Sequence, residues 1–309
     1  MKILIELPSW LGDAVMATPA IENIVNYYNQ TEITIVGSFI SIEALKNHPK
    51  IVKSEVLNKK YKSLYKISKN LGKFDAFFSF RSSFRSRILK LFISSDQKYQ
   101  FEKNRYQNCH QVEKYNSFIN DCLNTDFKAG KLSINPNLKS SSTNSAPVIG
   151  INPGASYGDA KRWYPEEFAK VAAELSNKYD IVIFGGPNEK KVAKDIEKLL
   201  IEKGVSNYQN IAGKTSILEL VNQISSLDLF ITGDSGPMHL AASFQVPTVA
   251  IFGPTRDKET SQWMNQKSII VKKNLDCQPC MKRICPLKHH NCMKLIKARD
   301  VLNVIESLN

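Results

Sequence analysis

The stretch Thr232-Gly233-Asp234-Ser235-Gly236-Pro237-Met238-His239 decides how this chain is read. It follows a strand-like apolar run, Leu227 to Ile231, and leads into a short apolar helix pattern, Leu240-Ala241-Ala242. Proline favours the first turn of a helix, so Pro237 is expected to start one and Gly236 to cap it. A helix N-terminus just after a parallel strand presents free N–H groups and the positive end of a dipole to an anion such as phosphate. Asp234, Ser235 and His239 crowd polar side chains around that point. A capped helix in an α/β sheet would account for the same residues.

Working outward, strand and helix patterns alternate on both sides. Ile3–Leu7, Glu32–Val36 and Phe74–Phe80 read as strands. Ala14–Tyr28, Tyr61–Leu71, Arg85–Phe92 and Val112–Leu123 read as helices. The polar run from Lys139 to Pro147 lacks periodicity and has linker composition. The alternation then restarts with strands at Val148–Asn152, Ile181–Phe184, Leu229–Thr232 and Thr248–Phe252. Helices are expected at Pro165–Lys178, Lys190–Lys203, Leu218–Ser225 and Arg299–Leu308. Such alternation implies right-handed βαβ units and parallel sheets. The expected architecture is α/β, with two Rossmann-like domains facing each other across a central cleft. Residues 1–139 would form the first, 140–147 the linker, 148–298 the second, and 299–309 a C-terminal helix.

The 309 residues are 42% hydrophobic, enough for two cores. No signal-peptide pattern opens the chain and no apolar run approaches bilayer length, which predicts a soluble cytoplasmic protein. The formal charge of +13 favours anionic partners, with some concentration of cations from Lys46 to Arg105. No DNA- or RNA-binding signature is present, so phosphorylated substrates or an acidic membrane surface are expected, and no nucleic acid.

In open α/β sheets ligands sit beyond the carboxyl ends of the strands, so the loops there carry the chemistry. Pro8-Ser9-Trp10-Leu11-Gly12-Asp13 lacks the Gly-x-Gly-x-x-Gly dinucleotide pattern. In it Gly12 permits a tight turn, and Asp13 is either a cleft-facing base or an N-cap. Asn152-Pro153-Gly154-Ala155-Ser156-Tyr157-Gly158-Asp159-Ala160-Lys161-Arg162 sets Lys161 and Arg162 beside a glycine-rich loop, as a phosphate clamp or as an exposed basic turn. Phe184-Gly185-Gly186-Pro187-Asn188-Glu189 could present Glu189 to ribose hydroxyls or to the helix dipole. No Asp-x-Asp occurs, so the usual carboxylate pair for Mg²⁺ or Mn²⁺ is missing. A leaving diphosphate would be neutralised by Lys161, Arg162 and helix N-termini.

Cys277, Cys280, Cys285 and Cys292 form a C-x2-C-x4-C-x6-C array containing His289 and His290. Four soft ligands suffice for a structural zinc or an iron–sulfur cluster, and free thiols are the alternative. Cys109 and Cys122 read as small buried hydrophobes.

Taken in order, Pro8–Asp13, Asn152–Ser156 with Ala160–Trp163, Gly233–His239 and Phe252-Gly253-Pro254-Thr255 resemble glycosyltransferase family 9, the ADP-heptose–lipopolysaccharide heptosyltransferases, in its heptosyltransferase II branch. The resemblance spans nearly the whole chain. It implies a GT-B fold and metal-independent, inverting transfer of heptose from ADP-heptose to the lipopolysaccharide or lipooligosaccharide inner core, with no cofactor required. The acceptor would be a lipid A–core oligosaccharide, met at the inner face of the inner membrane by a cytoplasmic, peripheral enzyme. Carried over by position, Asp13 resembles the general base and Lys161 the diphosphate-binding lysine. Asp234 resembles the carboxylate on the heptose hydroxyls, with Ser235, Gly236 and His239 at the phosphates. Glu189 resembles a ribose ligand, while Ser156 and Thr215 line the nucleotide pocket beside Arg162. Arg81, Arg85 and Arg87 are expected at anionic groups of the acceptor, or on a solvated basic face. Two other readings stand beside this one. The first is a transferase or epimerase using another nucleotide sugar on the same scaffold. The second is a metal- or redox-responsive binding protein built around the cysteine array.

Overall fold

A computed structural model of the chain describes residues 1–28, 30–58, 60–135 and 146–307. It divides into two compact units, Met1–Asn137 and Leu138–Asn309. Positions 140–145 of the expected linker and the end of the expected last helix, from residue 308, lie outside the described residues.

The first unit is a five-stranded parallel sheet flanked by helices. In chain order it runs β1 (Lys2–Glu6), α1 (Leu11–Met16), α2 (Thr18–Tyr27), β2 (Glu32–Gly37), α3 (Phe39–Leu45), β3 (Ile51–Val56), α4 (Tyr61–Leu71), β4 (Lys73–Ser79), α5 (Phe84–Phe92), β5 (Ser94–Gln100) and α6 (Gln111–Leu123). Strand order is β3-β2-β1-β4-β5. Central strands are buried on both faces and read as nearly continuous apolar runs, with Leu4, Val36 and Phe77 in one core cluster with Leu64 and Leu89. The edge strand Ser-Ser-Asp-Gln-Lys-Tyr-Gln is polar, which blunts an exposed edge and hides the strand from a hydrophobicity reading, and the other edge, Ile-Val-Lys-Ser-Glu-Val, carries Lys53 and Glu55 among its apolar residues.

The second unit is a six-stranded parallel sheet. It comprises β6 (Val148–Asn152), α7 (Pro165–Leu175), β7 (Asp180–Ile183), α8 (Lys190–Glu202), β8 (Tyr208–Asn210), α9 (Ile217–Ser225), β9 (Leu229–Gly233), α10 (Gly236–Ser243), β10 (Thr248–Ile251), α11 (Asp257–Thr260), β11 (Ser268–Val271), α12 (Asn291–Lys294) and α13 (Ala298–Glu306). Its order, β11-β10-β9-β6-β7-β8, is the doubly wound one. Val301 and Ile305 place α13 in the core cluster with Ile149, Ile231 and Phe168. No helix among the described residues is long and apolar enough to cross a membrane.

Three local expectations are corrected. The single helix from Ala14 is two, interrupted at Ala17, because Pro19 in the first turn of α2 cannot donate a backbone hydrogen bond to α1. Since α1 begins at Leu11, Gly12 is a buried helical residue rather than a turn, and the N-cap is Trp10, not Asp13. In α10 the cap is Ser235, with Gly236 already helical and Pro237 behind it in the first turn. Each is a shift at a helix start, where several residue types satisfy the same donors.

Candidate active site

In each sheet the order of strand addition reverses once, between neighbours that are not consecutive in sequence. Ligands of open α/β sheets bind at such switch points. In the first unit the switch lies between β1 and β4, which are paired through Ile3–Ala76 to Glu6–Ser79. In the second it lies between β6 and β9, paired through Ile149–Leu229 to Asn152–Thr232. The quoted loops follow these strands.

At the first switch point Asp13 stands half-buried in the first turn of α1. Its charge reaches the buried hydroxyl of Tyr115, whose pKa is held well above the ordinary tyrosine value, first by burial and then by Asp13. Across the switch, the Glu6 carboxylate accepts from the hydroxyls of Ser79 (2.5 Å) and Ser86 (2.9 Å) and pairs with Arg81 at 3.5 Å. Burial raises the Glu6 pKa against these partners. Two of the three expected acceptor arginines, Arg81 and Arg85, lie close enough to act on Glu6 and on each other. Arg81 turns to Glu6, Arg85 reaches the Asn58 carbonyl and the Tyr61 ring, and Arg87 is exposed.

The second switch point holds a buried polar cluster. Lys161 Nζ lies 2.6 Å from Asp234 Oδ2 and also donates to the Asp234 carbonyl at 3.2 Å. Thr255 donates to the same Asp234 oxygen at 2.6 Å. Lys161 and Asp234 are only 12% and 6% exposed, so this charge pair is largely withdrawn from water. Nζ of Lys161 also sits 4.8 Å from the centre of the Tyr157 ring. Beside the pair, Asn152 Nδ2 donates to the hydroxyls of Thr232 and Ser235, both at 3.2 Å. His239 is buried within α10. Arg162 does not share the clamp: it pairs with exposed Asp159 at 2.6 Å.

The expected ribose side is partly assembled. Glu189 is buried, and its Oε2 accepts the Gly186 N–H at 2.6 Å. The carboxylate presses on Gly154, where a Cβ would overlap it. The Gly213 N–H donates to Gly185 C=O at 2.7 Å, which brings the loop leading to half-buried Thr215 alongside. Ser156 is exposed. Because the obstructing atoms end a flexible side chain, Gly154→Ala should fold but displace Glu189. Nucleotide affinity is then expected to fall about ten-fold, the worth of one charge-assisted hydrogen bond. An unchanged affinity, measured by titration with nucleotide, would remove Glu189 from the ribose site.

Of the two readings left open for the cysteine array, a bound metal is not supported. Among the described residues no group of three or more His, Cys, Asp or Glu could hold a metal ion. All four thiols are free, and that of Cys292 is pushed up to about 11, first by burial and then by the neighbouring Cys280, Cys285 and Cys277.

The loop instead braces the site. The Ala160 N–H donates to Arg283 C=O at 3.0 Å, and the Met281 N–H to Pro254 C=O at 2.9 Å. His290 Nε2 donates to Ala160 C=O at 2.9 Å, and its Nδ1 then accepts from the Tyr164 hydroxyl at 3.1 Å. Gly158 is required here, since a Cβ would lie 2.5 Å from the Arg283 carbonyl oxygen. The turn carrying Lys161 is thus held from the cysteine loop. Sequence reasoning missed His290 and Arg283 in this role, because their partners are distant in the chain and no local pattern marks them.

Comparison with known proteins adds four findings. Residues 73–291 match the model of glycosyltransferase family 9 (heptosyltransferase). A lipooligosaccharide heptosyltransferase 2 of Campylobacter jejuni subsp. jejuni serotype O:2 is 42% identical, covering 100% of this chain and 98% of its own length. In structure, an E. coli ADP-heptose LPS heptosyltransferase II superposes with a TM-score of 0.83 at 22% identity, over 100% of this chain and 98% of that one. An E. coli heptosyltransferase solved with ADP gives 0.80 at 14% identity, over the full length of both. The two structural likenesses show the GT-B fold.

Proposed function

The chain belongs to glycosyltransferase family 9, the heptosyltransferases, and from that premise we propose that it carries L-glycero-D-manno-heptose from ADP-heptose to a heptose of the lipopolysaccharide or lipooligosaccharide inner core. The observation that carries this reading is the buried Lys161–Asp234–Thr255 cluster at the switch point of the second unit. It sets a cation beside the N-terminus of α10, the arrangement a departing diphosphate needs. The 42% identity to a heptosyltransferase 2, and ADP in the solved relative, support the heptose and the nucleotide.

In the proposed step Asp13 accepts the proton of the acceptor hydroxyl as its oxygen attacks the anomeric carbon. The bond from that carbon to the β-phosphate oxygen breaks, and its electron pair leaves with ADP, offset by Lys161 and the α10 N-terminus. Attack opposite the leaving group inverts the anomeric centre. Asp234 holds Lys161 and faces the heptose hydroxyls, Ser235, Gly236 and His239 attend the phosphates, and Glu189, Ser156 and Thr215 the nucleoside, with Arg162 at the rim. No carboxylate pair suited to a divalent cation stands among these residues, which supports transfer without a metal. The net charge of +13 fits an anionic, lipid-borne acceptor at the inner face of the inner membrane.

Calorimetric titration with ADP, UDP and GDP, with EDTA throughout, tests the donor. Selective ADP binding is expected. A preference for UDP or GDP, or binding that needs Mg²⁺, would overturn the assignment.

A further inference from the structure

Counting along the sequence, residues 46–105 hold sixteen Lys and Arg against four Asp and Glu, a net +12 of the chain's +13. Helices α4 and α5 lie inside this segment and together carry six cations and no acidic residue. Their inward residues, Leu64 and Leu89, join the core of the first unit. The outward residues are not the polar set that normally faces water. On α5, Phe84 is 69% exposed and Leu91 77%, seven residues apart and so on one side of the helix. On α4, Tyr61 and Tyr65, four residues apart, are also exposed.

These side chains form one surface. The Tyr65 ring meets Phe92 edge-on at 5.5 Å, and the Arg85 guanidinium lies 5.7 Å from the Tyr61 ring. Lys69 sits 4.8 Å from the Tyr65 ring, with Lys62, Lys66 and Arg87 exposed around it. An aromatic and aliphatic patch ringed by cations has the composition of an interfacial membrane face.

We propose that the outward face of α4 and α5 docks this protein on an anionic lipid bilayer. A phosphate ligand would use the cations and leave Leu91 and Phe84 in water, whereas a bilayer takes the apolar side chains into its interface and the cations onto its headgroups. A second copy of the chain is disfavoured, because the face would meet six cations with six cations. The inference rests on the face itself and not on the donor assignment, so either can fail alone.

The test is sedimentation of the full-length protein with vesicles of phosphatidylglycerol and phosphatidylethanolamine, and with vesicles of phosphatidylcholine. Salt-sensitive binding to the anionic vesicles only is expected. Each cation near an anionic surface changes partitioning about five-fold, so Lys62→Gln/Lys66→Gln/Lys69→Gln should weaken it about 100-fold. Phe84→Ser/Leu91→Ser should weaken it by about ten-fold or more. Both variants should keep the wild-type circular dichroism spectrum and turnover on a water-soluble acceptor. Phe84→Trp should gain blue-shifted emission on anionic vesicles. Absent binding, equal binding to phosphatidylcholine, variants that sediment like the wild type, or loss of a soluble dimer as their only effect would each overturn the proposal.

Discussion

Asp13→Ala is expected to lower the turnover of heptose transfer about 10²–10⁴-fold, the usual contribution of a positioned general base, while leaving ADP affinity unchanged. The expectation follows from placement. Asp13 sits in the first turn of α1, at the switch point of the first unit, whereas the residues proposed for ADP all belong to the second. Its environment is polar on one side, where the Tyr115 hydroxyl lies within reach of its charge, and half-open on the other. Asp13→Asn keeps the shape and removes only the basic oxygen, so it should lose turnover to the same extent. Transfer assays and ADP titrations on both variants decide the matter. Turnover within a few-fold of the wild type would dismiss Asp13 as the base, and a matching loss of ADP binding would point to a folding defect.

Lys161→Ala is expected to act twice. It removes the cation offsetting the leaving diphosphate, a loss of about 10²–10³-fold in turnover. It also strands Asp234, which is 6% exposed and retains the Thr255 hydroxyl as a partner. Leaving one charge of a buried pair unmatched costs about 3–5 kcal/mol, enough to lower the melting temperature plainly. The two effects separate in a double variant. Lys161→Ala/Asp234→Ala removes both charges and should recover much of the lost stability without recovering transfer. Thermal unfolding and transfer rates on the single and double variants check this. Recovery of both quantities would mean that Lys161 serves only to neutralise Asp234.

What the sequence by itself determined is local or periodic. The apolar runs of β1, β6 and β9 announce central parallel strands because burial on both faces demands nearly continuous hydrophobicity. The glycine, proline and charged residues after them announce the functional loops, because turn chemistry and helix starts are written in neighbouring residues. The polar edge strands β5 and β8 escaped because an edge is safest when polar, which erases the signal.

Only the tertiary structure decided the partners. Lys161 and Asp234 are 73 residues apart and meet because the strand order sets β9 beside β6. Ala160 and His290 are 130 apart and meet because the cysteine loop folds back onto the turn after β6. The same folding made the cysteine loop a brace for the turn carrying Lys161, and it set Arg81 against Glu6, 75 residues away. In each case the reason is that a side chain's energetic role depends on which groups desolvate beside it, and strand order, not sequence distance, selects those groups.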